Sequence, residues 1–291
     1  MKKFTILANC QSTSIAQALL SHQDFKDNFE YTLIPPIHVI DKQKDIHILT
    51  DLHNVDLLIY QPIFDKQRFG PFTSESIVSH LKQGAVSLCI PSMYYTGYFP
   101  TQADFNGAES TLRGVHEYLI MAAYLAGFDQ NKTYDLLINS FPLNTQEIRQ
   151  HHNLSVAALR NREKELNVDI KISDYINSTY QHQKLFHTFN HPTTTLIDYV
   201  SNNILESISI KCGQTNSSKD LLNQIVAPIY PSIVESLNLK FEQTPVSNQG
   251  NVLKLKSIVE NDYEIYSRID TNRLLASLTH KKRFLSKMFS L

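Results

Sequence analysis

Short apolar runs separated by polar segments of helical period dominate the first hundred residues. Phe4 to Ala8 predicts a strand, and Ser14 to His22 a helix carrying Ile15, Ala18 and Leu19, with Ser12 or Thr13 as its N-cap. Tyr31 to Ile34 reads as a second strand, closed by Pro35-Pro36, and the polar stretch Asp41 to His53 as helix. Val55 to Tyr60 and Ala85 to Ile90 are apolar runs of the kind buried on both faces of a parallel sheet. Ser74 to Lys82 is the helix between them. This rhythm predicts an α/β chain built on a doubly wound, mainly parallel sheet.

The pattern changes from Leu112 onward and becomes mainly helical. Gly114 to Leu125 is apolar with few breaks and ends at Gly127, a helix C-cap. Thr145 to Leu166 is highly charged and reads as two helical pieces facing solvent. Thr195 to Ile208 carries Leu196, Val200, Ile204 and Ile208 at helical spacing, whereas 211–220 and 243–251 read as loops. The expected organisation is an α/β domain over 1–210 with a helical insertion around 112–166, then a helical extension over 211–291.

Composition narrows the class only a little. Hydrophobic residues make up 42% and charged residues 19%, which is ordinary for a globular chain. A net charge of -1 offers no overall field for nucleic acid. Cys10, Cys89 and Cys212 are the three cysteines, and their spacing argues against a disulfide framework or a structural zinc site. No apolar run approaches the ~20 residues that span a bilayer, and the short first run is a strand rather than a signal peptide. The expected compartment is the cytoplasm.

Ligands of such sheets bind at the carboxyl ends of the strands. There stand Asn9-Cys10-Gln11, Gln61-Pro62 and Pro91-Ser92-Met93-Tyr94-Tyr95. A helix N-terminus and a nearby imidazole lower a thiol's pKa, so Cys10 is a candidate nucleophile, with Asn9, Gln11 and free backbone N–H groups as oxyanion donors. The alternative is a thiol buried in a tight turn. Far along the chain, "LFHTFNHPT" (185–193) offers His187 and His191. A histidine before proline is held extended, which suits a fixed general base, though a plain loop histidine fits the position as well.

Tyr94, Tyr95 and Tyr98 can stack on a sugar or on adenine, or pack in the interior. Arg113 and His116 open the long apolar helix, as a phosphate site or as its solvated first turn. "RNREKE" (160–165) reads as a salt-bridged exposed face, and Cys89 as core. Arg273 to Leu291 is basic and amphipathic, able to lie on anionic lipid or to pack on its own domain or a second copy.

The Asn9-Cys10-Gln11 turn, Tyr60-Gln61-Pro62, "PSMYYTGYFP" (91–100) and "LFHTFNHPT", in that order, resemble the WcbI-type polysaccharide-biosynthesis acetyltransferase family, whose fold is similar to SGNH hydrolases. The resemblance covers roughly the first two thirds of the chain. It implies a coenzyme A ligand, a Cys–His pair carried over onto Cys10 and His191, and Asn9, Gln11 and Gln61 around the reacting oxygen. Two departures stand out: Ala8 where the family usually has Gly, and Thr188 where the SGNH pattern has an aspartate. A dyad is therefore expected rather than a triad. The implied activity is transfer of acetyl from acetyl-CoA to a sugar hydroxyl, with a carbohydrate or thioester esterase, or a non-catalytic glycan- or nucleotide-binding module, as rivals.

Overall fold

Alternation along the first strand sets the architecture. The structure, a computed structural model, describes residues 1–105, 109–211 and 219–278. The described residues form two compact units. The first comprises Met1–Tyr94, Ala157–Ser178 and Pro192–Leu222; the second comprises Tyr95–Val156, Thr179–His191 and Asn223–Leu291.

In the first unit, strands β1 (Lys2–Leu7), β2 (Phe29–Tyr31), β3 (Leu57–Tyr60) and β4 (Val86–Cys89) form a parallel sheet in the order β2-β1-β3-β4. Helices α1 (Ser12–Leu20), α2 (Gln23–Asn28), α3 (His47–Asp51), α4 (Lys66–Phe69) and α5 (Ser74–Ser79) connect them. Register puts Phe4, Ile6, Leu57 and Ile59 on one face, where Phe4 meets Phe25 of α2 edge to face at 4.9 Å. Leu7 and Leu58 face the other way, into a cluster with Ile48, Leu49, Leu52, Phe72 and Ile77. Both faces of the sheet are therefore covered, as the apolar runs predict. The helix Thr194–Ser207 packs against α1 and matches the spacing seen in the sequence.

The second strand, β2, lies at Phe29–Tyr31 rather than at the expected Tyr31–Ile34, and two further features of this unit also differ from expectation. The polar stretch before β3 is helical only over α3 and a 3-10 turn at Leu52–Asn54. Its start is a turn in which Asp41 Oδ1 accepts the N–H groups of Gln43 and Lys44. Helix α1 begins at Ser12 with Gln11 as its cap residue and no side-chain cap bond, so neither Ser12 nor Thr13 caps it.

In the second unit, β5 (Gln102–Asp104) pairs antiparallel with β6 (Val115–Glu117), which leads straight into α6 (Tyr118–Leu125). The helix expected from Gly114 starts four residues later because Arg113 (φ 49°) and Gly114 (φ 89°) form a tight turn. Six of its eight residues are buried. It ends as predicted: Gly127 (φ 73°) donates to Tyr124 O and Phe128 to Ala123 O, a Schellman closure. Helix α7 (Gln130–Ile138) follows, capped by Asp129.

Helix α8 (Thr145–Glu165) is one continuous helix of 21 residues, not two pieces. The 243–251 loop contains a turn of two short strands, Ser247–Asn248 and Asn251–Val252, with Gln249 and Gly250 both at positive φ. Helices Leu255–Ser267 and Thr271–Leu278 pack on α6, and Leu274 and Leu278 are buried there. The rest of the basic C-terminal stretch, like Cys212, lies outside the described residues. Among the described residues no helix is long and apolar enough to cross a membrane.

Candidate functional site

Chain direction across the sheet reverses between β1 and β3, and at that switch point an open α/β sheet leaves a crevice beyond its strand ends. The turn after β1 sits there. Gln61 Oε1 accepts the Asn9 N–H (3.1 Å), and Gln61 Nε2 donates to Gln11 Oε1 (2.7 Å). Gln11 Oε1 also accepts from the Met93 N–H (3.2 Å), while Gln11 Nε2 donates to Met93 O (2.9 Å). Asn9 Oδ1 accepts the Gln11 N–H (2.9 Å), and Asn9 Nδ2 donates to Ser92 Oγ (3.3 Å). Three separated stretches of sequence are thus laced into one rim.

This geometry changes the expected role of the two glutamines. Gln11 is 0% exposed and Gln61 5%. Both Gln61 N–H donors face protein oxygens, Gln11 Oε1 and Pro91 O. Gln11 and Gln61 therefore position the cysteine turn rather than offer donors to a reacting oxygen. Asn9 is half-buried and keeps access to the rim.

Cys10 is itself half-buried, with a free thiol. Burial pushes its pKa up, and its own backbone N–H offsets this only in smaller measure. The expected lowering is not found: desolvation outweighs the backbone hydrogen bond. Iodoacetamide is expected to alkylate Cys10 faster than Cys89, which is 6% exposed and pushed up to about 11. The Cys10 rate should still climb through about pH 9. A rate that levels off near neutrality would contradict a raised pKa.

The tyrosines divide. Tyr94 is 37% exposed, whereas Tyr95 and Tyr98 are 0% exposed. The Tyr95 hydroxyl bonds His152 Nδ1 at 2.7 Å, and its ring meets Tyr98 edge to face. A Cβ on Gly97 would lie 2.1 Å from the Tyr95 oxygen, so glycine there makes room for the buried ring. Tyr95 and Tyr98 are core residues of the second unit, not stacking platforms. His116 is likewise 0% exposed, in β6, with Nδ1 at 3.1 Å from Tyr266 Oη. Arg113 is exposed on its turn and not at a helix N-terminus.

Sequence reasoning missed Arg162. Within "RNREKE", Arg160 does pair with exposed Asp174 (2.6 Å). Glu163, however, is buried and accepts the N–H groups of Ile172 and Ser173. Arg162 is half-buried beside Tyr94. The available signal was period: positions 156, 159 and 163 form the buried stripe of α8 and place 162 at its margin.

His191 belongs to the second unit, in a two-stranded hairpin of Phe186–Thr188 and His191–Pro192. Phe189 O, in the turn, accepts the Tyr95 N–H (2.8 Å). Thr188 donates to Asn190 Oδ1 (2.9 Å). Burial lowers the His191 pKa, and the charge of His187 lowers it further. Its buried Nδ1 has no hydrogen-bond partner among the described residues. The imidazole is thus neutral near pH 7, the form that accepts a proton.

Comparison with known proteins places this geometry. No curated protein matches the chain. A solved structure of WcbI, described as a novel polysaccharide biosynthesis enzyme, superposes with a TM-score of 0.89 at 20% identity, covering 99% of this chain and 98% of that one. It is described as the native protein without a disulfide bond between COA and a cysteine. At that identity the likeness establishes the fold. Residues 3–212 match the family described as polysaccharide biosynthesis enzyme WcbI. With most of its length so matched, the chain belongs to the WcbI family of polysaccharide biosynthesis enzymes.

Proposed function

We propose that this chain is an acyltransferase, moving acetyl from acetyl-CoA to a sugar hydroxyl during assembly of a capsular or other surface polysaccharide in the cytoplasm. The observation that carries this reading is a half-buried free cysteine at the switch point of a sheet in a polysaccharide biosynthesis family. The solved relative described in terms of COA and a cysteine supports the choice of donor. The loop that Gln11 ties to the cysteine turn suits such a ligand: the exposed Tyr94 ring offers a stacking face and Arg162, over that ring, a cation.

Two routes use the same residues. In one, His191 takes the proton of the sugar hydroxyl as its oxygen attacks the acetyl carbonyl. The carbon–sulfur bond then breaks, and the departing thiolate takes up the proton. In the other, the Cys10 sulfur attacks the acetyl carbonyl, and its proton passes to the departing coenzyme A sulfur as that carbon–sulfur bond breaks. The sugar oxygen then attacks the Cys10 thioester, giving its proton through His191 to the released Cys10 thiolate. A thiol with a raised pKa and a neutral imidazole favour the direct route, because neither residue rests as half of an ion pair.

The first test is binding. Coenzyme A at a hundredfold its Kd is expected to add about 2.7 kcal/mol to stability. For a chain of this size the Tm should rise by roughly 4 °C. Adenine alone should do much less. If millimolar coenzyme A gives no shift and the protein releases acetate from a simple ester, the chain is an esterase instead.

A further inference from the structure

Arg162 stands apart among the cations of the first unit. Its guanidinium lies over the Tyr94 ring, 5.9 Å from the centroid, and one N–H reaches Tyr94 O at 3.4 Å. A guanidinium carries five N–H donors, so this single long bond leaves most of them unused. Among the described residues no carboxylate forms an ion pair with it. The adjacent Glu163 lends some long-range attraction, but its carboxylate is committed to Ile172 and Ser173. The side chain is half-buried, and burial holds its pKa below the ordinary guanidinium value. A cation removed from water without a counter-charge is costly unless something else completes it.

Its position says where the missing partner comes from. Arg162 touches the carbonyl of Tyr94, the residue directly after Met93, and Met93 is held at both its N–H and its C=O by Gln11. Gln11 follows Cys10. Ser92, bonded by Asn9 Nδ2, is exposed on the same loop. The guanidinium, the exposed Tyr94 ring and the cysteine turn therefore border one stretch of rim within the first unit. Planar, multidentate donation of this kind matches the oxygens of a phosphate ester.

We propose that Arg162 is a phosphate anchor, binding a phosphate-ester anion of the ligand that works at Cys10, with the Tyr94 ring beside it as a stacking face. This inference rests on the acyltransferase reading for the identity of the ligand but not for its charge. The same chemistry is supplied by the phosphates of coenzyme A and by the diphosphate of a nucleotide-activated sugar.

Calorimetric titration of wild type, Arg162→Gln and Arg162→Lys separates these sources. The probes are coenzyme A, dephospho-coenzyme A, pantetheine, UDP-glucose and inorganic pyrophosphate. Arg162→Gln is expected to weaken coenzyme A by roughly 10–100-fold, with Arg162→Lys in between and pantetheine unchanged. The same loss with dephospho-coenzyme A assigns the pyrophosphate; its disappearance assigns the 3′-phosphate. An effect confined to UDP-glucose assigns the acceptor. If wild type binds no coenzyme A, the donor reading fails, and the anchor is then decided by UDP-glucose and pyrophosphate alone. Equal weakening of pantetheine, or no Arg162 dependence with any phosphate-bearing probe, overturns the anchor.

Discussion

His191→Ala is expected to slow acetyl transfer to a sugar acceptor by about 10²–10⁴-fold, the usual contribution of a positioned general base. The expectation follows from the state of the imidazole. Burial and the neighbouring His187 both disfavour its cation, so it is neutral across the physiological range. The acid limb of the wild-type pH–rate profile should accordingly fall below about pH 6.5, the ordinary histidine value. Cys10→Ala distinguishes the routes. Direct attack leaves the rate within about tenfold of wild type, whereas a thioester route loses as much as His191→Ala does. A His191→Ala enzyme at full rate would remove the imidazole from the chemistry altogether.

Raising the pH from 4.5 to 7 is expected to destabilise the second unit through Glu117. Its carboxyl caps α6, accepting the Leu119 N–H (3.2 Å) and the Tyr230 hydroxyl (3.0 Å), in a site only 5% exposed. Burial pushes its pKa from 4.5 to about 7. Below 4.5 both folded and unfolded chains hold the proton, and no stability depends on it. Between 4.5 and 7 the folded chain holds it while the unfolded chain has released it, so stability falls as pH rises. Above 7 the loss is complete, at about 3 kcal/mol. Asp262, raised to about 6 by burial, acts in the same direction over a lower window. Glu117→Gln should therefore flatten Tm against pH between about 6 and 7, leaving only the Asp262 decline. An unchanged slope in that variant would show that Glu117 is already ionised in the folded state at about pH 6.

What the sequence revealed and what it concealed follow from range. The parallel sheet was legible because "LLIY" in β3 and "SLC" in β4 must be buried on both faces whatever surrounds them. The cysteine turn was legible for the same reason, since it is where the first apolar run stops. Roles that depend on partners distant in sequence were not legible. Nothing local distinguishes exposed Tyr94 from buried Tyr95 and Tyr98; the hydroxyl of Tyr95 finds its partner in His152, 57 residues away. His116 follows an apolar pattern that suits the start of a helix, yet Arg113 and Gly114 turn the chain and make it part of a strand. Arg162 was hidden by mixed charges that suggest solvent. Only the buried stripe of α8 shows that neighbouring charges in one short run face different surroundings.

The paired amides at Gln11 and Gln61 constrain one another as letters do in a short word. Gln61 Nε2 donates a hydrogen bond to Gln11 Oε1, and that oxygen also accepts the Met93 N–H. Turning Gln61 alone into a glutamate sets two acceptors face to face, and turning Gln11 alone into one sets a buried negative charge among dipoles arranged for a neutral oxygen. Spontaneous deamidation at either side chain would therefore be felt first in the placement of Cys10.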